Sequence, residues 1–114
     1  MDFRMRADLI LPEHQLKYNR WMAEQAHSRG LSIGLKNDVD QVNDLVDYFD
    51  FAVNEECFEY NECEKLSPFI EDGKAVFHAE YVLSLDEFCK ETSLLQFSSL
   101  QLDYELDGTR LSCE

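Results

Sequence analysis

The feature that most constrains the fold of this chain is a regular alternation of helix-like and strand-like segments. Stretches with apolar residues three and four positions apart alternate with short runs that are apolar or have a period of two. The predicted helices cover residues 13–29, 39–49, 62–71 and 84–95, and the predicted strands cover residues 31–35, 50–54, 74–81 and 98–106. This α-β-α-β-α-β-α-β order predicts an α/β fold of parallel strands joined by crossover helices.

Residues at the segment boundaries support part of this assignment. Ser84 followed by Glu87 has the spacing of a capping box at the start of the last helix, and Asp38 with Gln41 resembles one. Pro68 lies inside the third predicted helix, where an interior proline predicts a kink.

The charge of the chain limits the classes of partner. It carries 24 acidic and 10 basic residues, a formal net charge of −14. Nucleic acid is excluded as a partner because its phosphates need a cationic surface, whereas a neutral or cationic partner is favoured. No apolar run approaches the roughly 18 residues of a membrane span. The first residues contain no uninterrupted apolar segment, so no signal peptide is visible in this sequence.

Polar residues cluster where the predicted apolar strands end. In parallel α/β folds, catalytic and binding groups lie at the carboxyl ends of the strands. We therefore expect one rim of the sheet to carry a shared set of polar side chains: Lys36, Asn37, Asp38, Asn54, Glu55, Glu56, Glu80 and Tyr81, with Asp103 or Glu105 from the last strand. Two alternatives stay open, because Asp38 also suits a plain helix cap and Glu55 is also one of many surface acids.

Three ordered strings give a specific resemblance. They are YNRWMAEQAHSRGLSIGLKND, DYFDFAVNEECFEYNEC and GKAVFHAEY. From about Gln15 to Cys113 the chain resembles the second half of the catalytic domain of glycoside hydrolase family 114, a TIM-barrel family typified by endo-α-1,4-polygalactosaminidase. The resemblance implies that residues 1–114 are the C-terminal half of such a domain. The expected fold is a (β/α) half-barrel of about four parallel strands, which correspond to strands 5–8 of a TIM barrel.

The resemblance also implies a function, the hydrolysis of α-1,4-galactosaminidic bonds in an amino-sugar polysaccharide similar to galactosaminogalactan. Asn54-Glu55-Glu56-Cys57 matches the family's Asn-Glu-Gln-Cys stretch, which makes Glu55 the expected proton donor and then the base for water. The implied sugar-binding residues are Lys36, Asn37, Asp38, Asn54, Glu80 and Tyr81. No metal or organic cofactor is implied, and the family expectation is a secreted protein.

Two departures from the family pattern qualify this reading. The family's catalytic aspartate lies on an Asp-Asn motif, and Asp2 and Asp8 lack both the preceding strand and the following asparagine. Since glycoside hydrolysis normally uses two carboxylates, we expect this chain alone to be inactive. Gln101 also stands where a family lysine is expected. The alternative function is a non-catalytic carbohydrate-binding remnant, or a half-barrel that self-associates as a homodimer.

Four cysteines permit two disulfides in three connectivities. The preferred pairing is Cys57–Cys63 with Cys89–Cys113, each tying a loop or the C-terminus to its neighbour. The alternative is four reduced thiols, which a cytosolic chain would retain. The cysteines and the three histidines do not have the spacing of a zinc site, so no metal site is expected.

Overall fold

A computed structural model describes residues 11–103 and 110–113, and in them helices and strands alternate along the chain. The helices are α1 (Pro12–Ser28), α2 (Val42–Leu45), α3 (Ser67–Glu71) and α4 (Leu85–Leu94). The strands are β1 (Gly34–Lys36), β2 (Phe51–Glu55), β3 (Val76–Glu80), β4 (Ser98–Leu102) and β5 (Arg110–Ser112). Two 3₁₀ turns, Val39–Gln41 and Cys63–Leu66, lead directly into α2 and α3. None of the described helices is long and apolar enough to cross a membrane.

The five strands form one sheet in the order β1-β2-β3-β4-β5. The first four strands are parallel, and β5 pairs antiparallel with β4. The predicted α/β half-barrel is therefore confirmed. β5 was not predicted, and of the predicted strand 98–106, residues 104–106 lie outside the described residues.

Several predicted boundaries differ from the structure. The first strand begins at Gly34 rather than at residue 31 and runs to Lys36. The predicted helix 39–49 is a 3₁₀ turn followed by the short helix α2. The predicted helix 62–71 divides before Pro68, which lies in the first turn of α3, where a missing backbone N–H costs no hydrogen bond.

The two faces of the sheet differ because successive side chains of a strand point to opposite sides. In β2 the side chains of Ala52 and Asn54 are buried, while Phe51, Val53 and Glu55 are half-buried. The buried residues pack with the helices in a core that includes Ala23, Leu35, Val42, Leu45, Phe49, Ala52, Leu66, Phe69 and Val76. We call this the helix face. The opposite, inner face is defined by Gly34, Lys36, Phe51, Val53, Glu55, Phe77, Ala79 and Leu100.

A close contact on the inner face explains a glycine. A Cβ added to Gly34 would lie 2.2 Å from Cε2 of Phe51, so the ring occupies the space that a side chain would need. The same ring packs edge-on against Phe77, with 5.8 Å between centroids. Phe77 is 47% exposed, so this apolar layer of the inner face meets solvent in the described structure.

One capping prediction is confirmed and the other is wrong. Glu87 Oε2 accepts a hydrogen bond from the Ser84 backbone N–H at 2.8 Å, and the capping box is present. Asp38 has a left-handed backbone (φ 45°), and its side chain makes no capping hydrogen bond. Its carboxylate instead accepts a hydrogen bond from Asn19 of α1, because the turn at this position directs the side chain back toward that helix.

Both predicted disulfides are present in the structure. Cys57–Cys63 closes the segment after β2 over a sequence separation of 6, and we call it the loop disulfide. Cys89–Cys113 joins α4 to the residue after β5 over a separation of 24, and we call it the tail disulfide. Two contacts of Cys113 hold β5 beside β4: the tail disulfide, and a hydrogen bond of 3.2 Å from the Cys113 N–H to the Ser99 carbonyl.

Candidate active site

The carboxyl ends of the first three strands bring Lys36, Glu55 and Tyr81 together. Lys36 ends β1, Glu55 ends β2, and Tyr81 directly follows β3. The parallel register sets Lys36 beside Val53 and Glu55 beside Ala79, all on the inner face. Tyr81 is two positions after Ala79, so it leaves the chain toward the same face, one layer beyond Glu55. The structure thus brings two of the predicted rim residues, Lys36 and Tyr81, to the carboxylate of a third, Glu55.

Glu55 is held by contacts to both its side chain and its backbone. The Tyr81 hydroxyl donates a hydrogen bond to Glu55 Oε2 at 2.5 Å, and Lys36 Nζ lies 3.3 Å from Oε1. The Glu55 backbone N–H donates to Asn37 Oδ1 at 2.8 Å. The Tyr81 hydrogen bond, more than the nearby Lys36 charge, holds the pKa of Glu55 below its ordinary value. The side chain is therefore a carboxylate at neutral pH.

The turn after β1 shapes the neighbouring wall of the site. Asn37 and Asp38 both have positive φ angles, of 57° and 45°, a conformation that costs free energy in residues other than glycine. Strained backbone of this kind is concentrated at functional sites. In this conformation Asn37 reaches the Glu55 N–H, and Asp38 Oδ2 accepts from Asn19 Nδ2 at 3.2 Å. Burial, together with repulsion from Asp40, raises the pKa of Asp38 to about 6.

Glu55 and Lys36 lie at the boundary between two cavities. The larger, which we call the rim cavity, has a volume of about 960 Å³, and its lining is rich in acids and amides: Asn19, Asn37, Asp38, Asp40, Glu55 and Glu62. The smaller has a volume of about 610 Å³ and is lined by apolar and hydroxyl side chains that include Phe77, Leu100 and Ser112. Both volumes are in the range of small-molecule sites. The rim cavity suits a ligand that carries hydroxyl and cationic groups.

Two of the predicted rim residues point to the other side of the sheet. Asn54 and Glu80 are 2% and 0% exposed, on the helix face. Glu80 lies beside Tyr81 in sequence but on the opposite face, because side chains alternate along a strand. Gln101, which stands where a family lysine is expected, pairs with Glu80 in the sheet. It therefore lies on the helix face, opposite the face that carries Glu55.

Glu80 belongs to a buried polar network beneath the candidate site. Its Oε2 lies 2.5 Å from His78 Nε2 and accepts a hydrogen bond from the Phe58 backbone N–H at 2.9 Å. His78 Nδ1 is 2.8 Å from Ser99 Oγ. The network therefore ties the segment that follows Glu55 to β3 and β4. Sequence reasoning missed this role because it took every polar residue at a strand end as a rim residue.

Several residues that line the rim cavity were not predicted from the sequence, among them Asn19 and Tyr60. Asn19 comes from α1 and reaches the cavity through its hydrogen bond to Asp38, and Tyr60 lies within the segment closed by the loop disulfide. A polar residue on an otherwise packed helix gives little signal by itself. The local sequence around Tyr60 gives no signal that this segment reaches the cavity at the strand ends.

The described residues offer one group of potential metal ligands, Cys57, Cys63 and His78, whose ligand atoms lie within 4.8 Å of one another. Both sulfur atoms are joined in the loop disulfide. Both nitrogens of His78 already contact Ser99 and Glu80. All three side chains therefore already make structural bonds, which leave none of their ligand atoms available to a metal ion in this structure.

Comparisons with known proteins agree on one relationship. The model of glycoside hydrolase family GH114 matches residues 4–114. Among solved structures, the chain is similar to Aspergillus fumigatus Ega3 in complex with galactosamine, with 29% sequence identity and a TM-score of 0.82. The similarity covers 91% of this chain and 47% of the Ega3 chain, so this chain spans about half the length of that relative. No curated protein matches the chain significantly.

Proposed function

Because the chain belongs to glycoside hydrolase family GH114, we propose that it contributes Glu55 to the hydrolysis of α-1,4-galactosaminidic bonds. The observation that carries the proposal is the position of Glu55. It is the last residue of β2, on the inner face, held by Tyr81 and Asn37 at the edge of the rim cavity. Catalytic carboxylates of barrel enzymes occupy this position at the carboxyl end of a strand.

The proposed role of Glu55 is to protonate the glycosidic oxygen and then to take a proton from the incoming water. A proton donor must be protonated when the substrate binds, whereas the Tyr81 contact favours the carboxylate in this chain. A second carboxylate close to Glu55 would raise the pKa of Glu55 and supply the partner that the reaction requires. We therefore expect residues 1–114 in isolation to bind sugar without cleaving it.

The proposed substrate class is a polymer of galactosamine with protonated amines. Asp38, Asp40 and Glu62 line the rim cavity and offer negative charge to an ammonium group. Lys36 and Asn37 would contact the hydroxyl groups at the Glu55 end of the cavity. The galactosamine in the Ega3 complex supports this choice of sugar. The two disulfides support an extracellular location, since such bonds persist in oxidising compartments.

A binding and cleavage assay tests this proposal. Purified chain is titrated with α-1,4-galactosamine oligomers and, separately, with their neutral N-acetylated forms, and the reducing ends are measured in parallel. We expect the cationic oligomers to bind at least about tenfold more tightly, since a neutral ligand forgoes the electrostatic attraction. Asp38→Asn should weaken that preference, whereas Asp72→Asn, at an exposed position beyond α3, should leave it unchanged.

Two results would count against the proposal. One is equal affinity for the cationic and neutral oligomers. The other is cleavage of the oligomers by residues 1–114 alone, which the proposal does not expect. Glu55→Gln, compared with Glu59→Gln at an exposed position four residues away, would then show whether Glu55 takes part.

We propose self-association as a second candidate function, because one observation favours it. Phe77 is 47% exposed on the inner face, beside Phe51, and an apolar layer of this kind is unusual in a stable monomer. A second copy that covers this face would close a barrel from two halves. Sedimentation equilibrium should then show a dimer that Phe77→Asp dissociates, and a monomeric wild-type chain would end this candidate.

A further inference from the structure

Tyr81 contacts Glu55 on the inner face of the sheet, and its function depends on the proposed role of Glu55. We propose that Tyr81 is a positioning residue, whose hydroxyl holds Glu55 Oε2 and so leaves Oε1 as the oxygen that exchanges a proton with the sugar. The sequence alone had placed Tyr81 among the sugar-binding residues.

The contacts of the two carboxylate oxygens are unequal. Oε2 lies 2.5 Å from the Tyr81 hydroxyl, the short distance of a charge-assisted O–H···O⁻ hydrogen bond. Oε1 lies 3.3 Å from Lys36 Nζ, and the Lys36 side chain is 70% exposed. The Asn37 side chain also favours the carboxylate, but less than Tyr81 does. An exposed ion pair of this length is weak and mobile. A substrate can therefore displace Lys36 from Oε1 far more easily than it can displace Tyr81 from Oε2.

The backbone explains why Tyr81 can hold the carboxylate in one orientation. Ala79 pairs with Glu55 across β2 and β3, and Tyr81 follows at the next position on the same face. The ring of Tyr81 is half-buried, and it leaves a strand that is fixed on both sides by β2 and β4. Few rotatable bonds separate its hydroxyl from this strand, so the hydrogen bond fixes the plane of the carboxylate at little entropic cost.

The position of the proton follows from this arrangement. In this proposal the Tyr81 hydroxyl donates its hydrogen bond to Oε2 and takes no part in the proton transfer. In the donor step the Oε1–H bond breaks and the glycosidic oxygen gains the proton, while the bond from that oxygen to the anomeric carbon breaks and the second carboxylate of the reaction bonds to the anomeric carbon. In the second step water gives a proton to Oε1, and its oxygen bonds to the anomeric carbon and displaces that carboxylate. Both proton transfers therefore use the same oxygen, Oε1, because the Tyr81 hydroxyl is bonded to Oε2.

An NMR titration tests the role of Tyr81 without any need for turnover. The chain is labelled with ¹³C in its glutamate side chains, the Glu55 signal is assigned by its loss in Glu55→Gln, and its midpoint is compared in wild type and Tyr81→Phe. We expect Tyr81→Phe to raise the midpoint by about one pH unit, because a hydrogen bond to the charged form is lost. Tyr18→Phe, on the exposed side of α1, should leave the midpoint unchanged. Lys36→Met should raise it less than Tyr81→Phe does, since Tyr81 is the larger influence on Glu55.

A second measurement separates positioning from sugar contact. Tyr81→Phe should bind galactosamine oligomers within about twofold of the wild-type affinity, whereas loss of a direct hydrogen bond to the sugar would weaken binding by about fivefold or more. An unchanged Glu55 midpoint in Tyr81→Phe overturns the proposal, and so does an affinity loss without a change in midpoint. If the wild-type chain binds no oligomer, the proposed function fails, and the titration still decides the role of Tyr81.

Discussion

Replacement of Asp38 by asparagine should make the protein more stable at neutral pH, although it removes a charge from the acidic lining of the rim cavity. Burial and the neighbouring Asp40 raise the pKa of Asp38 from 3.8 to about 6. The folded state therefore holds a proton at pH 5 that the unfolded chain releases. The contribution of Asp38 to the free energy of unfolding is fully present below about pH 4 and is lost as the pH rises through 6.

The size of the effect follows from the pKa difference. A difference of about two pH units corresponds to about 3 kcal/mol at pH 7 if the group were fully buried. Asp38 is only half-buried, so solvent screening reduces this to about 1 kcal/mol. The Asn19 hydrogen bond survives the change, because the amide oxygen of asparagine can accept it. We expect Asp38→Asn to raise the melting temperature by about 4 °C at pH 7 and to have no effect at pH 4.

Urea unfolding at pH 4, 5, 6 and 7 checks this expectation. Asp47→Asn is the matched control, since Asp47 is exposed just beyond α2 and is not among the groups that raise the pKa of Asp38. It should not stabilise the protein at any pH. A difference between Asp38→Asn and wild type that stays the same from pH 4 to pH 7 would refute the argument, because only a titrating group gives a dependence on pH.

Three further predictions concern stability. Gly34→Ala should destabilise the protein by about 2 kcal/mol or more through its clash with Phe51, and Phe51→Leu in the same chain should recover part of the loss in urea unfolding. Asp50 accepts hydrogen bonds from His27 and from the backbone N–H of Ile33, and these contacts lower the pKa of Asp50. Asp50→Asn should therefore destabilise the protein above about pH 4. This loss should fade as the pH falls through the pKa of Asp50 in the folded state. Replacing both cysteines of the tail disulfide by serine should destabilise the protein by about 1 kcal/mol more than the same change in the loop disulfide, because the tail disulfide closes a longer loop. Equal losses of stability in thermal unfolding would contradict this reasoning.

The order of the elements could be predicted because each one carries a local signal. Apolar spacing marked the helices, short apolar runs marked the strands, and Ser84 with Glu87 marked the start of α4. The placement of Glu55 at a strand end followed from the same signals. β5 gave no such signal, because Arg110–Ser112 is a short exposed strand whose pairing with β4 depends on the tail disulfide and on tertiary contacts.

The face of each rim residue was harder to predict. β3 has apolar residues at both Val76 and Phe77, which lie on opposite faces, so its pattern does not show which side meets the helices. Without that assignment, Glu80 and Tyr81 looked like equal candidates for the sugar site. The register between β2 and β3 decides between them, and register is a tertiary property that depends on how the whole sheet packs.

Glu80 does not line the rim cavity, but its buried contacts fix the backbone that follows Glu55. A buried His–Glu pair pays a large desolvation cost, so it is weak evidence for stability and better evidence for a fixed geometry. Glu80 Oε2 holds the backbone of Phe58, three residues after Glu55, while Asn37 holds the backbone of Glu55 itself. The end of β2 is therefore fixed from both faces of the sheet, and Tyr81 then orients the carboxylate. Three polar contacts, from Asn37, Glu80 and Tyr81 beside the two neighbouring strands, therefore fix the position and orientation of one carboxylate, which is the geometry that the proposed role of Glu55 needs.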